Sequence, residues 1–214
     1  LDPPVDDDLA PFVEGVRTLR EAGADAVTIA DCPVGRPRAD SSLLACKLKR
    51  ELGVEPLPHM TCRDRNLNAT KALLLGLSME GVHNVLLVTG DPIPSADRDE
   101  VKSVFNFNSR KLARYVNGLN ESVLHVPFCM FGALNLNAHN FDVELRLAQE
   151  KEENGVFGFL TQPVLTAQAL ENLKLAHETL HGKILGGIIP VVSQRNALFM
   201  NSEVSGITVD QEII

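Results

Sequence analysis

Three short segments carry the side chains with the most chemistry, and each follows an apolar run. His59 exchanges a proton near neutral pH, Asp91 offers a carboxylate, and Gln162 both donates and accepts hydrogen bonds, which suits the edge of a heterocycle. Gly90 lets the backbone approach a ligand closely. The segments are Pro58-His59-Met60-Thr61-Cys62-Arg63-Asp64, Thr89-Gly90-Asp91-Pro92 and Leu160-Thr161-Gln162-Pro163.

Each segment alone also has an ordinary structural explanation. A histidine such as His59 often satisfies the backbone of a loop, Gly90-Asp91-Pro92 is a common turn sequence, and Gln162 is a polar residue at the entry to a helix. Three such segments at successive strand ends nevertheless favour a ligand-binding site.

Helical stretches and apolar runs alternate along the chain and must position these segments. Helical spacing of apolar residues predicts helices over 9–22, 41–52, 66–80, 109–119, 141–154, 166–180 and, shorter, 196–201. The apolar runs predict strands over 26–30, 82–88, 123–131, 156–160 and 184–189, with one more apolar step that ends at Pro58. Continuously apolar strands separated by helices are typical of parallel strands buried on both faces.

The polar residues gather directly after these strands, as they do at the C-terminal mouth of a (β/α)₈ TIM barrel. They are Asp31, His59, 89–91, Asn135, 161–162 and 193–194. No Gly-x-Gly-x-x-Gly follows the first strand, which argues against a dinucleotide-binding Rossmann domain. We therefore predict one barrel domain over residues 1–214.

The length limits how much of such a barrel is present. A (β/α)₈ barrel typically has about 250 residues, and only six βα units are visible here. Residues 1–4 resemble the tail of a strand, and the first residue is Leu1 rather than Met. We therefore expect this sequence to lack most of the first strand and the last strand–helix unit.

Composition excludes several classes of function. The net charge of −8, the absence of Trp and the single Tyr argue against nucleic-acid binding. No uncharged apolar run is long enough for a membrane helix, and the acidic N-terminus is unlike a signal peptide. The four cysteines form no Cys-x-x-Cys pair, so no metal site is predicted and reduced thiols in a cytoplasmic enzyme fit best.

At this point the chain resembles the methylenetetrahydrofolate reductase family. The three segments above, together with Gly186-Gly187-Ile188-Ile189-Pro190, come in the order and at about the spacing of that family. The resemblance covers essentially the whole chain. Residues 1–4 and 26–31 look most like the reductase domain that is fused to a homocysteine methyltransferase domain in some bacteria.

The resemblance implies a flavoprotein of one-carbon and methionine metabolism. Such an enzyme holds FAD in a TIM barrel and reduces 5,10-methylenetetrahydrofolate to 5-methyltetrahydrofolate, with NAD(P)H as the electron donor. It also implies a folate substrate, a homo-oligomer and a fused or associated homocysteine methyltransferase domain, with neither nucleic acid nor a membrane as partner. One alternative is a reductase-like module that binds flavin or folate within a larger protein or complex, without full turnover. Another is a different barrel enzyme of folate or one-carbon transfer that uses no flavin.

The resemblance also assigns roles to individual residues. Asp91 would lie near the flavin and the pterin and, with Gln162, form the catalytic pair, while Asn196 would join them in binding the substrate. Lys151 would contact the FAD pyrophosphate and Ser109 would lie by the adenine. The other implied FAD contacts are Ala30, Asp31, His59, Thr89, Gly90, Ala133, Asn135 and Glu144. Without the resemblance, Glu144 and Lys151 would be read as a solvated helix surface.

The chain departs from the family pattern at several of these positions. Thr89 stands where an Arg is usual, Ala30-Asp31 where Thr-Tyr is usual, and Leu134-Asn135 where an aromatic commonly precedes Pro. These departures agree with the fused branch of the family.

A further departure concerns the general acid that opens the imidazolidine ring of the substrate. In the family this acid is a Glu a few residues before a Pro-Pro pair, and here that position falls just before Leu1. Our hypothesis is that the Glu exists in the whole protein. Intact-mass measurement or N-terminal sequencing decides it, because a mature chain that begins at Leu1 would contradict the hypothesis.

Overall fold

The computed structural model describes residues 1–203 and 207–210. Its strands are β1 (Ala26–Ile29), β2 (Glu55–Thr61), β3 (Asn84–Val88), β4 (Cys129–Leu134), β5 (Val156–Pro163) and β6 (Lys183–Gly187). Its α-helices are α1 (Ala10–Glu21), α2 (Ser41–Leu52), α3 (Leu67–Met79), α4 (Ser109–Ser122), α5 (Phe141–Glu153), α6 (Ala167–Thr179) and α7 (Gln194–Glu203). Short 3₁₀ turns lie at Pro33–Gly35 and Ser95–Asp97.

Side-chain caps fix where most of the helices begin. In each case the oxygen of a polar side chain accepts a hydrogen bond from a backbone amide of the first turn, which would otherwise lack a partner. After α2 the chain leaves the helix at Gly53, whose φ of 62° is the left-handed conformation that glycine adopts without strain. The capping residues are Asp40, Asn66, Asn108, Asn140 and Thr166.

The chain divides into two compact units, Leu1–Met130 and Phe131–Ile214. In the first unit β2 pairs in parallel with both of its neighbours. Its N-terminal half, from Glu55, pairs with β1, and its C-terminal half, from His59, pairs with β3. The carboxyl ends of three successive strands therefore lie at one edge of the sheet in this unit.

The first residue continues this parallel pattern on the other side of β1. The backbone nitrogen of Leu1 donates to the carbonyl of Thr28 at 2.7 Å, and the amide of Ala30 donates to the carbonyl of Leu1 at 2.9 Å. In a parallel ladder, one residue bonds to two residues of the neighbouring strand that are two positions apart, as Leu1 does here. Leu1 thus lies beside β1 as a parallel neighbour.

In the second unit β5 and β6 pair in parallel, with a register shift between Leu160 and Pro163. Leu134, Ala148 and Phe159 are buried in its core. A smaller cluster of Ala197, Met200 and Val209 is also buried.

The structure corrects one predicted strand and extends another. Residues 123–131 were predicted as a strand, but α4 continues to Ser122 and β4 begins only at Cys129. The amide side chain of Asn120 exchanges two hydrogen bonds with the backbone of Phe128, which closes a turn in the predicted strand. β5 runs on to Pro163, so Thr161 and Gln162 belong to the strand rather than to the loop after it.

The alternation of strands and helices and the parallel pairing agree with the predicted α/β fold, in part. Six strands are present in the described residues, and β1–β2, β2–β3 and β5–β6 pair in parallel. Closure into a (β/α)₈ barrel and the single domain over 1–214 stay predictions. Within the described residues, no helix combines the length and apolar character needed to cross a bilayer.

Candidate active site

The strand ends of the first unit are joined by hydrogen bonds that bring the predicted segments together. Thr61, the last residue of β2, donates from its amide and its hydroxyl to Oδ2 of Asp31, at 3.0 and 2.9 Å. On the other side, the amide of Cys62 donates to the carbonyl of Thr89 at 3.1 Å. The segments after β1, β2 and β3 therefore form one polar edge.

Asp31 faces the protein interior, where Arg65 neutralises it. Arg65 donates to Asp31 at 2.6 Å and to Asp40 at 2.9 Å, and Asp31 is buried. Burial opposes ionisation of Asp31, but the hydrogen bond and charge of Arg65, helped by Thr61, outweigh it and hold the pKa of the carboxyl below its usual value. Asp31 is thus a structural anion at the edge of the site.

Asp91, by contrast, is exposed, and the backbone amide of Val34 holds its side chain. Its Oδ2 accepts a hydrogen bond from the amide of Val34 at 3.1 Å. Val34 has a φ of 50° and Cys32 a φ of 47°, so both lie in the left-handed region. For a β-branched residue such as Val34 this conformation is strained, and strain of this kind is concentrated at functional sites.

Gly90 is required by two features of its surroundings. Its φ is +92°, which side chains rarely adopt, and a Cβ atom there would lie 2.9 Å from Cβ of Thr61. The chain after β3 therefore passes against the end of β2 at a distance that only glycine permits.

Ser109 is brought to the same edge by Thr89. The amide of Ser109, the first residue of α4, donates to the hydroxyl of Thr89 at 3.2 Å. The threonine that stands in place of the usual arginine thus ties the start of α4 to the end of β3.

His59 is half-buried and carries an unsatisfied ring nitrogen. Among the described residues its Nε2 has no hydrogen-bond partner, although the atom is inaccessible to solvent. Burial is the main cause that lowers the pKa of His59 to about 4, and the negative charge of Asp31 opposes it. The imidazole is therefore neutral at pH 7, and a buried polar atom without a partner is the kind of group that a bound ligand completes.

Arg63 also lies at this edge, although the sequence predicted no role for it. It is one of the few buried charged residues, and it lines a cavity of about 490 Å³ with Cys32, Gly35, Asp64 and Ile93 among its walls. Its guanidinium donates to the backbone carbonyl of Asp91 at 3.2 Å.

In the second unit two side chains of α5 reach back to the end of β4. Lys151 donates from Nζ to the carbonyl of Ala133 at 2.7 Å, and Glu144 accepts from the amide of Asn135 at 3.1 Å. Lys151 is buried, so it does not belong to a solvated helix surface, and that interpretation of the pair is wrong for Lys151. The four residues for which the resemblance implies FAD contacts in this unit therefore lie together.

Gln162 and Asn196 are the other two predicted residues of the second unit. Gln162 lies in irregular backbone, whereas Asn196 lies in the first turn of α7. Gln162 sits in the register shift of β5, where the hydroxyl of Thr161 donates to its carbonyl at 2.8 Å. Shifts of this type turn a side chain away from the regular alternation of a strand. Asn196 stands near the start of α7, and its side chain accepts from the amide of Val192 at 3.4 Å.

Cys62, which directly follows β2, has a thiol of low reactivity. Burial raises the pKa of Cys62 to about 12, so this thiol is not a nucleophile at neutral pH. The described ranges 1–203 and 207–210 contain no group of three or more His, Cys, Asp or Glu that could hold a metal ion.

Sequence reasoning missed three groups that shape the site: Arg63, Arg65 and the amide of Val34. A signal existed for the arginines, because charged residues that directly follow a buried strand must find partners nearby. No sequence signal identifies the Val34 amide, since any residue but proline offers one.

Comparison with known proteins gives a family and a fold. The family model described as methylenetetrahydrofolate reductase matches residues 3–214. A search of curated protein sequences gave no match.

Two solved structures share the fold at low sequence identity. One is a protein assigned as a lyase/mutase from Burkholderia cenocepacia J2315, with 12% identity and a TM-score of 0.55, over 88% of this chain and 70% of that chain. The other is an oxaloacetate acetylhydrolase, with 14% identity and a TM-score of 0.59, over 93% of this chain and 72% of that chain. At this identity the likeness concerns the fold alone.

Proposed function

The chain belongs to the methylenetetrahydrofolate reductase family, and from that premise we propose that it reduces 5,10-methylenetetrahydrofolate to 5-methyltetrahydrofolate, with FAD as cofactor and NAD(P)H as electron donor. The observation that carries the proposal is Asp91, an exposed carboxylate at the end of β3 whose orientation is held by the amide of Val34. In a chain of this family it is the group suited to act on a cationic folate.

The residues present fit a flavin. In the first unit, Nε2 of His59 has no hydrogen-bond partner within residues 1–203 and 207–210, and it is a buried polar atom that a bound ring can satisfy. In the second unit, the ammonium of Lys151 lies at the end of β4 and suits a phosphate. When bound, the flavin would carry an electron pair from NAD(P)H to the methylene carbon of the folate.

Asp91 would act through its charge. Opening of the five-membered ring of the substrate gives a cationic iminium, and a fixed carboxylate stabilises a positive charge that develops beside it. The same negative charge would disfavour an anionic flavin close by. Gln162 would orient the pterin, because its amide both donates and accepts hydrogen bonds.

Several finer features belong to this proposal. A homo-oligomer and a fused or associated homocysteine methyltransferase domain are proposed from the family resemblance. NADH and NADPH are both retained as donors. The alternative proposal is a reductase-like module that binds flavin or folate without full turnover.

A visible spectrum of the purified protein tests the function. We expect flavin bands that bleach with NADH or NADPH and return on addition of methylenetetrahydrofolate. Bands that never bleach would favour the binding module, and a colourless protein that FAD cannot reconstitute would contradict both.

A pair of variants then links the activity to Asp91. Asp91→Asn should slow the return of the flavin bands by about 100-fold, the usual effect of losing one electrostatic contact to a developing charge. Asp99→Asn removes an exposed carboxylate of the same loop and should change the rate less than about twofold, as expected of a solvated charge.

A further inference from the structure

Arg63 occupies an unusual place for an arginine. Arg63 lies two residues after the end of β2, and its side chain is only 3% exposed. It forms a two-pronged pair with its neighbour Asp64, from Nε at 2.9 Å and from the terminal nitrogen at 2.6 Å. Its backbone carbonyl accepts the amide of Val104 at 2.7 Å. Arg63 is therefore held in one orientation.

The pair with Asp64 already neutralises the buried charge, yet the guanidinium makes one more bond. Its other terminal nitrogen donates to the backbone carbonyl of Asp91 at 3.2 Å. Since a planar guanidinium directs its donors at fixed angles, the clamp by Asp64 also fixes this third bond. The position of the Asp91 backbone is thereby tied to the end of β2.

The side chain of Asp91 is held from the opposite direction. Its carboxylate accepts the amide of Val34, in a turn that packs on the segment after Asp91. A Cβ on Gly35 would lie 2.8 Å from Cδ of Pro94 and 3.4 Å from the guanidinium of Arg63. The turn thus touches both Arg63 and the loop that Arg63 holds.

We propose that Arg63 is a positioning residue for Asp91. It fixes the backbone of Asp91 after Gly90, so that the carboxylate meets the amide of Val34 and keeps one orientation toward the ligand. The catalytic consequence rests on the proposed function, whereas the coupling between Arg63 and the Asp91–Val34 bond does not.

The coupling is tested first in the protein without ligands, by hydrogen exchange at the amide of Val34. We expect Arg63→Met to speed this exchange about fivefold, as the loss of one net hydrogen bond would. Asp91→Ala should have the same effect, because it removes the acceptor. Arg17→Met, which removes an exposed arginine of α1, is the matched control and should leave the rate unchanged.

The catalytic consequence is tested by a double-mutant cycle on the rate at which methylenetetrahydrofolate reoxidises the flavin. Arg63→Met should slow this step about 10- to 100-fold, as expected of a misplaced catalytic group. In the Asp91→Asn background it should have almost no further effect, because the group it positions is gone. FAD affinity and the rate of bleaching by NAD(P)H should change less than about threefold, because the variant leaves the contacts to FAD and NAD(P)H in place.

Each outcome decides the proposal. Unprotected Val34 in the wild type, unchanged exchange in Arg63→Met, or additive losses in the cycle would overturn it. If Arg63→Met does not fold, Arg63→Lys keeps a buried cation without the planar fork and should show the same faster exchange. If the wild type shows no folate reduction, the proposed function fails, while the exchange experiment still decides whether Arg63 positions Asp91.

Discussion

Arg65 donates to Oδ2 of Asp31 at 2.6 Å, and the same oxygen accepts both the amide and the hydroxyl of Thr61. One carboxylate oxygen therefore joins the ends of β1 and β2 to the loop after β2. Because the pair is buried, removing one partner leaves a charge without compensation, which costs far more than the loss of a surface pair.

We predict that Asp31→Asn lowers the free energy of unfolding by about 3 kcal/mol. The measurement is urea unfolding at pH 7. The control is Glu14→Gln, which breaks the ion pair between Glu14 and Arg17. The side chains of Glu14 and Arg17 are 72% and 50% exposed, so this variant should lower the free energy of unfolding by less than about 0.5 kcal/mol. Equal losses in the two variants would show that the Asp31 pair is not buried.

The depressed pKa of His59 predicts a loss of stability in acid. The unfolded chain takes up a proton on this residue near pH 6.5, whereas the folded chain does so only at about pH 4. Acidification through this window therefore favours unfolding, by up to roughly 3 kcal/mol at its lower end.

Urea midpoints measured at pH 7.5, 6, 5 and 4 test this prediction. His59→Gln should reduce the loss of stability between pH 6.5 and 4, because the variant has no imidazole to protonate. His125→Gln, which removes an exposed histidine, is the control and should follow the wild type. If the urea midpoint of His59→Gln falls with pH as steeply as that of the wild type, groups other than His59 cause the acid sensitivity.

The helices and the strand ends could be predicted from sequence because local patterns determine them. Ser41–Leu52 agrees in full with its prediction, since Asp40 caps its start and Gly53 ends it. The strand predicted over 123–131 failed because Val123 and Val126, both apolar, lie in an exposed turn that Asn120 closes. Hydrophobicity alone does not reveal a side chain that caps a turn.

For the candidate site too, the sequence reveals some features and not others. The residue types at the strand ends were visible in the sequence, and the structure brings Asp31, Thr89 and Ser109 to the predicted edge. Their partners were not visible. The bond from Arg63 to a backbone carbonyl and the bond from Val34 to Asp91 depend on loop conformation, which local pattern does not specify.

Gly90 offers a test of close packing at the site. Gly90→Ala would place a Cβ 2.9 Å from Thr61 in a backbone with φ of +92°. Gly81→Ala is a matched control, because φ there is +73° and the added Cβ meets nothing within 4 Å. We expect a loss of about 1 kcal/mol for Gly81→Ala, from conformation alone, and about 2–4 kcal/mol for Gly90→Ala, where overpacking adds to it.

Urea unfolding of the two glycine variants measures the difference. The extra loss in the free energy of unfolding of Gly90→Ala, compared with Gly81→Ala, reports how firmly the ends of β2 and β3 are held against each other. Equal losses would mean that the loop after β3 moves away at little cost, which would contradict a fixed site edge.

Lys151 allows the proposed cofactor to be tested by its parts. Because the ammonium is buried at the end of β4, Lys151→Met keeps most of the apolar stem and removes the charge. If Lys151 binds the pyrophosphate, the variant should weaken FAD binding by about 10- to 100-fold, the range for losing a charged hydrogen bond. Riboflavin, which has no phosphate, should bind the variant and the wild type equally. Flavin fluorescence titrations measure both affinities, with Lys174→Met of the exposed pair with Glu171 as the control. An equal loss for FAD and riboflavin would show that Lys151 supports the fold of the site rather than the phosphate, because riboflavin carries neither the pyrophosphate nor the adenosine of FAD.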